Sequence, residues 1–149
     1  MKINEEIKAD GYTLAEILGR EKTQFLLGDK ANLVWVEERS APYDITGSTL
    51  TQNFYIEVKC RNCKSDAFDS DLLEYSKLKR MQNVEPDAIH YYLVFYSDNK
   101  ARLYHLNKIK IQDVYVGMFL CPDSSVEDKG EVMKLCYELP HHLAKAYKF

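Results

Sequence analysis

Apolar and polar side chains alternate along residues 54–60, a pattern that predicts a β-strand. One face of this strand would be apolar and belong to a core, formed by Phe54, Ile56, Val58 and Cys60. The opposite face carries polar and charged groups, namely Tyr55, Glu57, Lys59 and Arg61. An acid and a base, Glu57 and Lys59, therefore lie side by side on one face of a strand.

The surrounding pattern predicts helices and strands on both sides of this stretch. A helix is expected from Leu14 to Leu27, with Thr13 as its N-cap and Gly28 as its stop. The nearly continuous apolar run over residues 88–96 is typical of a central strand covered on both faces. The other predicted elements are a strand over 32–37, a hairpin turn at 46–48, a helix over 72–81 capped from 69–71, and a strand over 101–106.

The last third of the chain predicts two extended segments, over residues 113–121 and 131–139. In the second segment Met133, Leu135, Tyr137 and Leu139 alternate with polar residues, which indicates a half-buried strand. Pro140 would begin a short closing helix over residues 141–147.

Composition favours one domain over residues 1–149, because 46% hydrophobic residues are enough for one full core. No apolar run has transmembrane length, and the first residues are too polar for a signal peptide, so a cytoplasmic protein without membrane contact is expected. The net charge of −3 counts against nonspecific nucleic-acid binding but allows a local positive groove.

Two carboxylates suggest a site for a divalent cation. Asp44 follows Pro42 and would face Glu57 across the predicted hairpin. Mg²⁺, or Mn²⁺ in its place, prefers such oxygen ligands, and the backbone carbonyl of Val58 is a third candidate. Lys59 would then stand beside the cation and orient a water or stabilise charge on a phosphate. The alternative is a surface ion pair between Glu57 and Lys59 on an edge strand.

Pro42, Asp44, Glu57 and Lys59 resemble the PD-(D/E)XK motif of the restriction-endonuclease-like nucleases. The order of predicted elements is similar to the αβββαβ core of that superfamily, an α/β fold with a central mixed sheet flanked by helices. Residues 13–106 would form this core and residues 107–149 a C-terminal extension.

The resemblance implies roles for further residues. Many superfamily members carry an acid on the first helix that reaches the metal, and Glu21 matches that position; the alternative is a Glu paired with a lysine or turned to solvent. The helix after the Glu-x-Lys strand often contributes near the phosphate, which points to Tyr75 and Lys79, unless Lys79 belongs to a basic outer face. Arg61 would also contact substrate.

Four cysteines are present, and Cys60 and Cys63 form a C-x-x-C. Such a pair prompts a zinc or redox interpretation, but Cys121 and Cys136 supply no second C-x-x-C. We therefore expect thiols without a structural metal, with Cys60 on the buried face and the later pair remote from it.

The resulting hypothesis is a Mg²⁺-dependent nuclease that hydrolyses a phosphodiester in DNA through attack of a metal-activated water. The chain is similar in size to the Holliday-junction resolvases of the superfamily, which work as dimers, so a homodimer is among the expected assemblies. The alternative is a non-catalytic module on the same fold that binds nucleic acid or protein. Neighbouring carboxylates are expected to raise the pKa of Lys59 in the absence of metal.

Overall fold

The computed structural model describes residues 14–37, 41–84, 86–122 and 130–149. Thr13, the predicted N-cap of the first helix, lies outside these residues. The helices are α1 (Leu14–Leu27) and α2 (Tyr75–Val84). The strands are β1 (Asn32–Trp35), β2 (Ile45–Ser48), β3 (Asn53–Cys60), β4 (Ser70–Glu74), β5 (Ile89–Phe95), β6 (Lys100–His105), β7 (Val116–Pro122), β8 (Glu131–Pro140) and β9 (Ala144–Lys148).

Six strands form a mixed main sheet in the order β1-β2-β3-β5-β6-β9. Strands β3 and β5 run parallel at its centre, and the other neighbours are antiparallel. The crossover between β3 and β5 contains β4 and α2. The predicted order of elements is confirmed, with β4 as an added strand between β3 and the second helix.

A second, three-stranded sheet in the order β4-β8-β7 packs against one face of the main sheet. Successive residues of β5 show the division between the two faces. Tyr92, Val94 and Tyr96 pack with α2 and the second sheet, whereas Leu93 and Phe95 belong to the core on the side of α1. The prediction of a central strand buried on both faces is therefore confirmed.

Helix α1 approaches β3 closely because residue 19 is glycine. A Cβ atom at Gly19 would lie 3.0 Å from Val58 Cγ1 and 3.2 Å from Cys60 Sγ. These contacts put the apolar residues of β3 against α1, so Glu57 and Lys59 occupy the opposite face of the strand. The predicted division of this strand into two faces is thus confirmed.

Three predicted elements differ from the structure. Residues 46–48 lie in β2, and the turn follows them, closed by a 2.9 Å bond from Thr49 N–H to Gln52 O. Residues 72–74 belong to β4 because Leu73 is buried against Tyr137 of β8, and this pairing outweighs the helical pattern of the segment.

The third difference concerns the C-terminus. A single 3₁₀ turn, His141–Leu143, replaces the predicted closing helix, and β9 then pairs with β6 at the edge of the main sheet. In β8, Tyr137 and Leu139 are buried, but Met133 and Leu135 are exposed. The half-buried pattern predicted for this strand therefore holds only for its C-terminal half.

No helix within the described residues combines the length and apolar character needed to cross a bilayer.

The β2–β3 hairpin depends on glycine at position 47. A Cβ atom there would lie only 2.1 Å from Cζ of Phe54, whose ring packs across the strand. We expect Gly47→Ala to lower the free energy of unfolding by about 1–3 kcal/mol through overpacking. Urea denaturation measures the effect, and the double variant Gly47→Ala/Phe54→Leu is its control. The explanation is wrong if the smaller side chain at position 54 does not reduce the cost of the alanine.

Candidate functional site

Asp44 lies at the point along β3 where its pairing with β2 ends. Strand β2 begins at Ile45, which pairs with Ile56, so the later residues of β3 have no partner in β2. The backbone N–H of Asp44 still donates to Ile56 O at 2.8 Å. Its carboxylate Oδ2 then accepts a 2.8 Å hydrogen bond from the N–H of Val58. The side chain of Asp44 thus continues the pairing that the strand no longer provides.

The same geometry orients the backbone carbonyl of Val58. The N–H and C=O groups of one residue in a strand point to the same side. Because the Val58 N–H points to Asp44, its carbonyl oxygen is directed to the same edge, which β2 does not cover. The candidate ligands Asp44 Oδ1 and Val58 O therefore lie on one side of β3.

Arg20 of α1 binds the second carboxylate oxygen of Asp44, a contact that the sequence did not predict. Its Nη2 lies 3.1 Å from Asp44 Oδ1, and its Nη1 lies 3.8 Å from a carboxylate oxygen of Glu16. Arg20 is only 4% exposed. Since a buried guanidinium requires an acidic partner, the arginine fixes the direction of the Asp44 side chain.

Glu57 is buried and bound to a lysine of the following helix. Lys77 Nζ lies 2.5 Å from Glu57 Oε1, and Glu57 is 5% exposed. Burial, and then the charge of Asp44, raise the pKa of Glu57 to about 8 despite the nearby lysines. Burial lowers the pKa of Lys77, but the contact with Glu57 and the charges of Asp44 and Glu74 together raise it overall, so the lysine stays charged. The alternative of a surface ion pair between Glu57 and Lys59 on an edge strand is wrong.

Lys59 follows on the same face of β3 and faces a cationic environment. Burial lowers its pKa, and the charges of Arg61 and Lys77 lower it further, against the smaller effects of Glu57 and Glu74. The expectation of a raised pKa for Lys59 is therefore wrong. The prediction counted the carboxylates but not the burial of Lys59, which is the largest cause, nor the charges of Arg61 and Lys77.

These groups line a narrow cleft between the main sheet and the second sheet. The cationic and acidic side chains around it are Glu57, Lys59, Arg61, Glu74, Lys77 and Lys134. Its volume is about 40 Å³, enough for water or a small ion but not for a nucleotide. Asp44 is not among the residues that line this cleft; it lies at the adjoining edge of β3. A larger ligand must therefore reach these groups from outside the cleft or displace part of the second sheet.

The donor set fits a hard cation. Mg²⁺ takes oxygen ligands and needs only one or two carboxylates besides water and substrate phosphate. Asp44, Glu57 and the Val58 carbonyl are oxygen donors of this kind. In the structure Arg20 and the Val58 N–H bind the two Asp44 oxygens, and the ammonium of Lys77 lies against Glu57 Oε1. The described residues contain no group of three or more His, Cys, Asp or Glu side chains arranged for a metal, as a zinc cage would require.

Glu21, the candidate metal ligand on the first helix, lies elsewhere. It lines a cavity of about 670 Å³ together with Trp35 and Phe149. Its Oε2 is buried and has no hydrogen-bond partner among the described residues. The acid of α1 that is connected to Asp44 is Glu16, through Arg20. The position of Glu21 in the helix correctly predicted that its side chain faces the protein interior. It did not show which part of the sheet the side chain would face.

The predicted substrate contacts on α2 also differ. Tyr75 stacks on Tyr137 with ring centroids 5.4 Å apart, and Lys79 Nζ lies 5.2 Å from the Tyr75 ring centroid. Both therefore turn to β8, and Lys77 is the residue of α2 that reaches the cleft. Helix α2 begins at Tyr75 because residues 72–74 belong to β4. The helix therefore turns a different set of side chains to the sheet from the set that was predicted.

Arg61, the third predicted substrate contact, lines the cleft. Its Nη2 donates to Leu72 O at 2.9 Å and to the hydroxyl of Tyr92 at 3.3 Å. These bonds hold the guanidinium between β3 and β4, where its charge is available to an anion.

The thiols lie on both faces of the main sheet. Cys60 packs under Gly19, whereas Cys121 and Cys136 line the cleft on the opposite face. Cys60 and the later pair are separate, as predicted. Burial, and then Cys121, raise the pKa of Cys136 to about 11, so this thiol stays protonated at neutral pH.

The fold of this chain is similar to that of the Holliday junction resolvase Hjc from Archaeoglobus fulgidus, with a TM-score of 0.53. The match covers 85% of this chain and 93% of the resolvase chain, at 14% sequence identity. At that identity the likeness establishes the fold alone. The chain has a restriction-endonuclease-like fold, and the predicted fold class is confirmed.

No protein-family model matches the sequence, and no curated protein matches it either.

The raised pKa of Glu57 leads to a testable dependence of stability on pH. Between its ordinary pKa of 4.5 and its folded value of about 8, the folded protein holds a proton that the unfolded chain releases. Stability in EDTA should therefore fall as pH rises through this window, by at most about 1.4 kcal/mol per pH unit for one proton. Glu57→Gln removes this titration, and its free energy of unfolding should lack that part of the slope.

Urea denaturation of both proteins from pH 5 to pH 8 checks the expectation. Other titrating groups are common to the two proteins, so the difference between them isolates Glu57. Parallel pH profiles would show that Glu57 has the same pKa in the folded and unfolded states.

Proposed function

We propose that this chain is a metal-dependent nuclease that hydrolyses phosphodiester bonds in DNA. The observation that carries the proposal is the position of Asp44, held between Arg20 and the Val58 N–H, at the edge of the strand that presents Glu57 and Lys59. The restriction-endonuclease-like fold supports the proposal, and the Hjc protein with that fold is itself a Holliday junction resolvase.

Asp44, Glu57 and the Val58 carbonyl would hold Mg²⁺ or Mn²⁺. When bound, the cation would supply an activated water and neutralise charge on the phosphate. Binding requires Glu57 to lose its proton and to release Lys77, since both compete for its carboxylate. Lys77 and Arg61 then become available to the phosphate oxygens.

Lys59 is suited to accept a proton during the reaction. Its pKa is already lowered by burial and by the cations around it. A general base works best when its pKa lies near the working pH, and a nearby divalent cation favours the neutral amine further. Lys59 would therefore take a proton from the attacking water, while Asp44 and Glu57 fix the geometry.

A non-catalytic DNA-binding module is the second candidate function. The observation that favours it is the contact between Lys77 Nζ and Glu57 Oε1, which gives the buried carboxyl a hydrogen-bond partner without a metal. Under this alternative the protein binds DNA equally in Mg²⁺ and EDTA and cleaves none. A homodimer is compatible with either function, and sedimentation of the protein with and without DNA determines the assembly.

Plasmid nicking and linearisation in Mg²⁺, Mn²⁺ and EDTA test the proposed activity. We expect cleavage with either metal and none in EDTA. Lys59→Ala should reduce the rate by about 10²–10⁴-fold, as loss of a general base does, with metal binding intact or tighter. Glu57→Ala should lose metal affinity as well as cleavage, which calorimetric titration measures.

Lys79→Ala is the matched control, because Lys79 lies over Tyr75 and does not line the cleft. It should cleave at the rate of the parent. If Lys59→Ala also cleaves as fast as the parent, this cleft is not the active site.

A further inference from the structure

A second cavity of about 330 Å³ adjoins the cleft, and we call it the side pocket. It lies between the loop over residues 61–70 and the β7–β8 ribbon. Arg61 and Leu72 line both cavities, so the two share a wall. Its volume falls at the lower end of the range for small-molecule sites. A ligand in the side pocket would therefore lie next to the cleft that contains Glu57 and Lys59.

The inner end of the side pocket carries a buried carboxylate. Asp71 is 5% exposed and lines the pocket. Its Oδ2 accepts hydrogen bonds from the hydroxyls of Tyr96 at 2.5 Å and Tyr104 at 2.6 Å. His141 Nε2 lies 3.5 Å from the same oxygen. These contacts engage Oδ2, and no residue in the described part of the chain donates a hydrogen bond to Oδ1, so Oδ1 is the oxygen available to a ligand.

The two tyrosines fix the direction of this carboxylate. Burial and hydrogen bonding to Asp71 raise the pKa of both Tyr96 and Tyr104, so both hydroxyls remain donors at neutral pH. Because Asp71 is buried in β4 and doubly bound, its unused oxygen is an acceptor with a fixed position. Such an arrangement selects a ligand that offers a hydrogen-bond donor.

The outer part of the side pocket is aromatic. Phe68 is 70% exposed, and Phe119 of β7 lines the pocket with it. The exposed face of an aromatic ring at the mouth of a pocket can stack on a planar ring of a ligand. Charged and polar side chains also line the pocket, among them Lys64, Glu138 and His141. A fixed acceptor beside aromatic walls is the combination with which proteins hold an unstacked nucleobase.

We infer that the side pocket binds a single unpaired nucleobase that carries an exocyclic amino group, next to the scissile phosphate. The base would stack on Phe68 and Phe119, and its amino group would donate to Asp71 Oδ1. Arg61, in the shared wall, would contact the connecting phosphate. This inference rests on the proposed function and narrows its substrate to DNA with an unpaired base.

Cytosine and uracil are a matched pair for this test, because cytosine has an amino group where uracil has a carbonyl oxygen. Binding is measured by fluorescence anisotropy in EDTA, so that no cleavage is involved. The probes are labelled duplexes that are identical except for one bulged deoxycytidine, deoxyuridine or abasic residue. We expect about tenfold or more tighter binding of the deoxycytidine bulge than of the deoxyuridine bulge, with the abasic duplex weakest.

Asp71→Asn tests the acceptor directly. The amide oxygen can still accept from Tyr96 and Tyr104, but its NH₂ then faces the ligand as a donor. The preference for cytosine should be lost or reversed, a change that loss of stability alone would not produce. Thermal unfolding confirms that the variant is folded.

Phe68→Ala tests the aromatic wall. It should weaken binding of the base-containing bulges about fivefold or more and leave the abasic duplex unchanged. Phe25→Ala is the matched control, because Phe25 is also exposed but lies on α1, on the opposite face of the sheet.

Two results would overturn the inference: equal affinity of the parent for all three bulges, or a cytosine preference that survives Asp71→Asn. If metal-dependent cleavage occurs with either result, the proposed nuclease function stands and the side pocket has another role. If the base preference is found without any cleavage, the pocket stands and the nuclease proposal fails. Binding of N-acetylarginine amide that Asp71→Asn abolishes, without a base preference, would assign the pocket to a peptide instead.

Discussion

The hydrogen bond from the Val58 N–H to the Asp44 carboxylate is the contact on which the candidate site depends. A backbone donor at this edge of the sheet would otherwise have no strand partner, and an unpaired buried donor is costly. The carboxylate that satisfies it also faces Arg20 from the other side. One side chain therefore closes the edge of the sheet and anchors a buried arginine.

The electrostatics of the cleft follow from burial on the side of the second sheet. Strands β4, β7 and β8 cover Glu57 and Lys59, and exclusion of water makes each charge sensitive to its neighbours. This explains why the pKa of Glu57 is raised while that of Lys59 is lowered. Burial disfavours the charged form of both groups, and perturbed pKa values of this kind in one cleft mark a candidate functional site. The second sheet thus sets the electrostatics of the cleft.

The local pattern of apolar and polar residues was sufficient to predict the orientation of side chains that lie on a single strand. Alternation alone separated Glu57 and Lys59 from the apolar residues that meet α1, and a continuous apolar run identified β5. It was not sufficient where distant segments decide the structure. Strand β4 exists because it pairs with β8, whose residues lie more than sixty positions further along the chain.

The same limitation applies to individual side chains. Lys77 and Lys79 differ only in helix phase, and that phase is set by the strand that precedes α2. Asp71 was expected as a helix cap, but it lies in β4 as a buried carboxylate bound by two tyrosines. Arg20 gave no signal because its partner, Asp44, is 24 residues away and reaches it only through the packing of α1.

Gly19 relates the packing of α1 on one face of the main sheet to the position of Asp44 at its edge. Helix α1 rests on Val58 and Cys60 at a distance that admits no further atom, and the next residue, Arg20, reaches from that position to Asp44. The depth at which the helix sits therefore helps to set the position of the Asp44 carboxylate. If the proposed site binds a metal, variation in the α1–β3 packing would adjust its affinity gradually, from a contact on the other face of the sheet.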